Sequence, residues 1–258
     1  MSDLPGREGA LHRSIPSRSG GTATSKAGPS KLNTWTSLLI TSGAKPSSSD
    51  ARAIAKLNPQ PGERLLDVAG GTGDLAKAFI DRADRAGKRR GKPEKASAVV
   101  CDINDAMLDA GRARRDMAAY DGRIGWVCGD AQALPFEDRS VDALTIAFGI
   151  RNVADRDAAL SEFRRVLKPG GRLGVLEFSH MTVPAFQALY DTYSFNVIPP
   201  LGELVASDRD SYKYLVESIR KFPKQDAFRE EVEAAGFSGV SVTNFSGGIA
   251  ALHFGWAA

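Results

Sequence analysis

The stretch that most constrains this chain is Asp67-Val-Ala-Gly-Gly-Thr-Gly-Asp74. An apolar run, Arg64–Ala69, leads into it, and a helix-patterned run, Leu75–Ala86, leads out of it. A strand that turns through glycines directly into a helix is the opening of a βαβ unit, and such units build parallel sheets. The pattern then repeats. Strands are expected at Ser97–Asp102, Ile124–Cys128, Val141–Ala147 and Arg172–Glu177, with helices at Asp105–Ala119 and Arg156–Leu167 between them. Residues 87–96 are rich in Lys and Arg and read as a surface loop inserted before the second strand. Alternation of this kind predicts an α/β fold with helices on both faces of the sheet. Two further helices, Ser211–Lys221 and Lys224–Ala235, precede a closing pair of strands, Gly239–Phe245 and Ile249–Phe254, which brings the strand count to seven.

The ends of the strands carry the chemistry. Glycines at 70, 71 and 73 let the backbone approach a ligand without a Cβ in the way. A dinucleotide site spaces its glycines as Gly-x-Gly-x-x-Gly, so that a diphosphate rests on the helix N-terminus. Here the spacing differs, and Asp74 stands where the phosphate would approach, which disfavours a nicotinamide dehydrogenase. A carboxylate there suits a cationic amino-acid group or a sulfonium. Asp102 closes the second strand, where an acid can accept both ribose hydroxyls. It lies further from the first strand than the usual spacing of about 20 residues, and the charged 87–96 segment accounts for the excess. Asp130 and Ala131 follow the third strand, where an acid and a neighbouring N–H can hold an adenine edge. Together these acids and glycines describe a nucleoside site without a phosphate cradle.

At this level of detail the chain resembles the ubiquinone/menaquinone biosynthesis C-methyltransferase family. The matching stretches include Leu66–Asp74, Asp102–Leu108, Asp130–Phe136, Phe148-Gly-Ile-Arg-Asn152, Arg165–Gly171 and Leu176–Ser179. They continue through Tyr190–Phe195, Asp210–Ile219 and Gly248–His253, so that the resemblance spans residues 56–258. The Phe-Gly-x-Arg-Asn and Tyr-Ser-Phe blocks are the most specific to the family. The resemblance implies a Rossmann-like class I S-adenosylmethionine methyltransferase with a mostly parallel seven-stranded sheet. It also implies that S-adenosyl-L-methionine is the cofactor. Gly70, Gly71, Thr72 and Gly73 would contact its methionine part, Asp102 its ribose, and Asp130 and Ala131 its adenine. Ala147 stands where the family carries Ser, so one cofactor contact is left to backbone alone.

The implied reaction is C-methylation of a polyprenyl quinol ring. Arg151 and Asn152 are the candidate catalytic residues: Arg151 to stabilise a phenolate or hold a water as base, Asn152 to fix a ring oxygen. The alternative for Arg151 is a structural ion pair with Asp155 or Asp157. The aromatic helix expected at Pro184–Ile198 would line a tunnel for the isoprenoid tail, or else simply pack in the core. No residues are assigned to a metal. Other readings remain open: a methyltransferase of another small molecule, and a non-catalytic cofactor-binding subunit of a quinone-synthesis complex.

The N-terminal region departs from the family. Its Tyr-Asp-x-Met-Asn-Asp segment and the His-Arg…Trp-Lys stretch, which cap the site, have no counterpart in residues 31–55. This implies either a frameshift or mistaken start upstream of about residue 51, or a native segment that leaves turnover weak. Residues 1–33 are rich in Ser, Gly, Thr and Pro and read as disordered. We therefore divide the chain into an atypical tail, 1–50, and a methyltransferase domain, 51–258. Of 34 basic and 31 acidic residues, six basic and three acidic ones lie in that tail, so the domain itself is neutral and a nucleic-acid partner is not expected. Cys101 and Cys128 read as small buried hydrophobes in a reducing compartment. No apolar run reaches the length of about 20 residues that a membrane span needs. A bacterial cytoplasmic home is expected, peripheral to the inner membrane, with a mitochondrial matrix as the alternative. The expected partners are the polyprenyl quinol, transient membrane surface, a quinone-biosynthesis complex, or a second copy in a homodimer.

Overall fold

Parallel pairing of buried strands sets the frame. In the computed structural model, which describes residues 48–182 and 209–258, seven strands form one sheet in the order β3-β2-β1-β4-β5-β7-β6. These are β1 (Arg64–Val68), β2 (Ser97–Asp102), β3 (Ile124–Cys128), β4 (Val141–Ala147), β5 (Leu167–Phe178), β6 (Phe237–Phe245) and β7 (Ala250–Ala257). The first five pair in parallel, and β7 runs antiparallel to both β5 and β6. The strand order reverses at β1 and β4, which lie side by side. Ligands in open α/β sheets bind at the carboxyl ends of the strands flanking such a reversal. The seven-stranded, mostly parallel α/β fold expected from the sequence is the one observed. The aromatic segment Pro184–Ile198 and residues 1–47 lie outside the described residues.

The helices are α1 (Ser48–Leu57), α2 (Asp74–Arg90), α3 (Asp105–Arg112), α4 (Arg156–Val166), α5 (Arg209–Lys221) and α6 (Gln225–Ala234). Side chains alternate across a strand, so β1 feeds two cores. Leu65 packs with Ile54 and Leu57 of α1, Phe79 and Ile80 of α2, and Leu108 of α3. Leu66 and Val68 belong to the opposite core, with Leu160 and Phe163 of α4 and Phe228 and Val232 of α6. Continuous apolar burial on both faces is what a parallel sheet requires.

Beyond shifted strand ends, such as β5 starting at Leu167 rather than Arg172, three features differ from expectation. Helix α2 runs through Arg90 rather than stopping at Ala86, so part of the charged segment is helical. Lys88, Arg89 and Arg90 complement the negative end of the helix dipole, and Gly91 closes it in the left-handed region at φ 65°. The helix expected over Asp105–Ala119 stops at Arg112, and a 3-10 turn, Arg115–Tyr120, follows. The third difference is Cys128, which is exposed, whereas Cys101 is buried and its thiol is pushed up to about 12 by that burial. A terminal strand position can face outward even beside an apolar run.

The last turn of α3 makes one close approach. A Cβ on Gly111 would lie 2.4 Å from the Trp126 ring and 3.1 Å from the Thr72 Cα, so the helix meets β3 and the glycine turn as bare backbone. Gly111→Ala should therefore destabilise the fold by about 1–3 kcal/mol through overpacking. Urea unfolding of the two proteins checks this, with a lowered midpoint expected at unchanged slope.

Candidate functional site

The turn after β1 is held from below and from the side. Below it lies Asp67, fully buried, accepting a 2.6 Å hydrogen bond from the Thr145 hydroxyl of β4. Its second oxygen, Oδ2, has no partner among the described residues. A Cβ on Gly70 would sit 2.7 Å from that oxygen. Burial, eased by the Thr145 bond and reinforced by the charges of Asp102 and others, pushes the Asp67 carboxyl up to about 7. From the side, Asp102 at the end of β2 accepts the Gly71 N–H on Oδ2 at 3.0 Å and the Asn104 N–H on Oδ1 at 2.9 Å. Burial raises the Asp102 carboxyl as well, against those two hydrogen bonds. Each oxygen keeps acceptor capacity for a hydroxyl group. The Gly71 N–H that could have faced a phosphate is already taken.

Thr72 is buried and Asp74 opens α2. Asp74 does not stand free to meet a ligand cation, as its position in the sequence suggested. The Arg114 guanidinium reaches its Oδ1 at 2.7 Å. Arg114 was not among the residues singled out from the sequence, because it is distant along the chain and lies in a segment expected to be plain helix.

At the end of β3, Asp130 accepts the Gln132 N–H at 2.9 Å and forms a local bridge with Ala133, beside half-buried Ala131. The Gln132 Oε1 accepts the Asp155 N–H at 2.9 Å, and Asp155 caps α4 by accepting from the Ala158 N–H. The loop after β3 and the start of α4 are thus one hydrogen-bonded unit. Ala147 ends β4, half-buried against the small core of Ala53, Leu176, Phe245 and Leu252.

Beyond β4, Phe148 takes a positive φ of 54° and Gly149 follows. A Cβ on Gly149 would meet the Ala69 Cβ at 2.6 Å, so the chain after β4 is pressed against the chain after β1. A 3-10 turn, Ile150–Asn152, then presents the two candidate catalytic residues. The side chain of Arg151 is 9% exposed, and its ion pair is not with Asp155 or Asp157. Its Nη1 donates at 2.7 Å to Oε1 of Glu177, at the end of β5, while its backbone N–H donates to Oε2. Burial raises the Glu177 carboxyl, and Arg151 acts against that rise. The guanidinium also lies 5.4 Å over the Phe178 ring, and its Nε has no partner among the described residues. Asn152 is exposed, and its Oδ1 accepts a 3.2 Å bond from the Tyr214 hydroxyl of α5. Sequence reasoning missed Glu177 and Tyr214. The signal for Glu177 was present: it is an acid ending an otherwise apolar strand.

The site therefore gathers the ends of β1, β2, β3 and β4 around one point. Its donor set fits S-adenosylmethionine: a glycine turn closed to side chains with its Gly71 N–H already taken, a desolvated carboxylate at the end of β2, and an acid after β3. The fold is similar to that of an S-adenosylmethionine-dependent methyltransferase from Aquifex aeolicus, with a TM-score of 0.57 and 15% identity over 81% of this chain and 89% of that one. Fold and site together define a Rossmann-like, class I S-adenosylmethionine-dependent methyltransferase.

The model of the ubiE/COQ5 methyltransferase family matches residues 49–257, and the chain belongs to that family. It is 56% identical over 200 residues to the ubiquinone/menaquinone biosynthesis C-methyltransferase UbiE of Paracoccus denitrificans (strain Pd 1222), covering 78% of this chain and 76% of that one. The protein of the same description from Caulobacter vibrioides (strain NA1000 / CB15N) is 55% identical over 203 residues, covering 79% of each. Among the described residues, no helix is long and apolar enough to cross a membrane.

Asp67 makes stability depend on pH. Its folded pKa, about 7, lies above the unfolded value of about 3.9, so between them the folded chain holds a proton that the unfolded chain has released. Stability should fall as pH rises from about 4 to 7 on this account and level off above. Asp67→Asn should flatten that fall. Denaturant unfolding at several pH values measures it, and an unchanged pH profile would refute the role.

Proposed function

We propose that this chain transfers the methyl group of S-adenosylmethionine to a ring carbon of a polyprenyl quinol in ubiquinone and/or menaquinone biosynthesis. The observation that carries the reading is the contact between Ala69 and Gly149, which sets the cofactor turn directly against the Phe148–Asn152 segment. The family membership and the names of the two relatives supply the substrate class. S-adenosylmethionine, when bound, supplies the electrophilic methyl. In this reading Gly70, Gly71, Thr72 and Gly73 hold its methionine part, Asp102 its ribose, and Asp130 and Ala131 its adenine, with Ala147 offering backbone only.

The chain's own work is to make the ring carbon nucleophilic and to align it. Loss of the proton from the neighbouring ring hydroxyl to a water held beside Arg151 pushes electron density onto that carbon. Arg151, held by Glu177, stabilises the phenolate oxygen that results. Asn152 presents its side-chain amide to a ring oxygen while Tyr214 fixes its carbonyl. After the methyl arrives, the ring carbon loses its own proton to solvent, aromaticity returns, and the phenolate oxygen takes a proton back from water. The domain that does this is assigned to residues 51–258, with 1–50 as a separate tail. A bacterial cytoplasmic setting, with brief contact at the inner-membrane surface to collect a lipid-tailed substrate, accords with the bacterial relatives. A homodimer or a quinone-biosynthesis complex is compatible with it.

Two measurements test the reading. Calorimetric titration of S-adenosylmethionine should show binding to the full chain and its loss in Asp102→Ala; no binding to the unaltered chain refutes the enzyme reading. Arg151→Ala should lower kcat on a short-tailed demethylated quinol by about 100-fold or more, as removal of an oxyanion-type donor does. The affinity for S-adenosylmethionine should stay within about twofold, because Arg151 acts on the acceptor ring. Equal loss of kcat and of cofactor affinity would remove Arg151 from that role.

A further inference from the structure

The interruption of α3 leaves Arg114 in extended backbone, at φ −69° and ψ 129°, facing the glycine turn. Its Nη1 reaches three oxygens of that turn: the Thr72 carbonyl at 3.3 Å, the Thr72 hydroxyl at 3.2 Å and Asp74 Oδ1 at 2.7 Å. Its remaining nitrogens are anchored elsewhere. Nε and Nη2 donate to the two oxygens of Asp116 at 3.1 and 3.0 Å, and Lys77 of α2 holds Asp116 in turn at 2.7 Å. The hydrogen bonds from Arg114 and then Lys77 keep the Asp116 carboxyl well below the usual range. The Thr72 hydroxyl donates to Asp74 Oδ2 at 3.0 Å, so both its proton and one of its lone pairs are committed. The side chain of Arg114 is 17% exposed and that of Asp74 29%.

A guanidinium with fixed, planar donors defines geometry in a way a single flexible ammonium does not. From this network we infer that Arg114 is a positioning residue for the amino-acid end of S-adenosylmethionine. It orients the Thr72 hydroxyl, pins the Thr72 carbonyl, and cancels the charge of Asp74, the one acid that opens α2. The inference rests on the cofactor role proposed for Gly70–Gly73. It also reassigns Asp74, which the sequence suggested as a partner for the ligand's cationic group: its carboxylate serves the turn. The nucleoside half of the ligand is held by Asp102 and Asp130, which Arg114 does not touch. Loss of Arg114 should therefore divide the ligand in two.

S-adenosylhomocysteine and 5′-methylthioadenosine share the thioether nucleoside, and only the first carries the amino-acid part. Calorimetry on the full chain, with ligands taken into the millimolar range, should show Arg114→Ala weakening S-adenosylhomocysteine about tenfold or more. The affinity for 5′-methylthioadenosine should stay within about twofold. Arg114→Lys should recover part of the loss, through one of the three contacts. Asp74→Asn leaves the guanidinium in place and provides the same comparison should Arg114→Ala fail to fold: a selective loss for S-adenosylhomocysteine is expected. Equal losses for both ligands, or no loss for either, overturn the positioning role. Failure of the unaltered chain to bind S-adenosylhomocysteine rejects instead the cofactor reading on which the inference stands.

Discussion

The parallel pairing of β1 with β4 is the constraint on which the rest of this structure depends. Its register runs from Leu65 opposite Ala143 to Val68 opposite Ile146, and the buried Asp67–Thr145 hydrogen bond joins neighbours within it. The order of the sheet reverses there, so the chain leaves β1 and β4 in adjacent positions with no helix between them. The glycine turn and the Phe148–Asn152 segment are hung from that pair of strand ends, and the ends of β2 and β3 bring Asp102 and Asp130 beside them. Burying Asp67 is costly unless its carboxyl is neutral or hydrogen-bonded, and among the described residues only one of its oxygens has a partner. A polar group placed so expensively under a ligand turn is the kind of departure from ordinary core packing that marks a functional site.

Charge at the site is arranged in closed local groups. Asp102 is taken up by the Gly71 and Asn104 N–H groups, Asp130 by Gln132, Glu177 by Arg151, and Asp74 by Arg114. Asp102 and Glu177 tie the ends of β2 and β5 to neighbouring turns, and Asp74 ties the start of α2 to Arg114. The result is a set of acceptors already oriented before a ligand arrives, which lessens the reorganisation that binding would otherwise require. Electrostatic preorganisation of this sort is also what a reaction passing through a phenolate needs.

Much of the fold was legible in the sequence because it rests on short-range rules. The strands from Arg64 to Cys128 and from Val141 to Ala147 announce themselves by apolar runs bounded by turn residues. The positions of Asp102, Asp130 and the glycines follow from where those strands stop. The misjudged boundaries are those of α2, whose terminal cations complement the helix dipole out to Arg90, and of α3, which stops at Arg112. Cys128 looked like core because it ends an apolar run, yet the last residue of β3 faces outward.

The sequence by itself determined the βαβ order, the glycine turn, and the acids that close successive strands, since periodicity and residue type decide these within a dozen residues. It determined the family too, through blocks such as Phe-Gly-x-Arg-Asn. Only the tertiary structure decided which charge meets which. The partner of Arg151 is 26 residues away, Asp74 reaches Arg114 from 40 away, and Tyr214 comes from 62 residues downstream to Asn152. Such pairings are set by how strands stack in the sheet and how helices cross it. Nearby acids along the chain, such as Asp155 and Asp157, lose to a distant carboxylate that the sheet delivers at the right depth and distance.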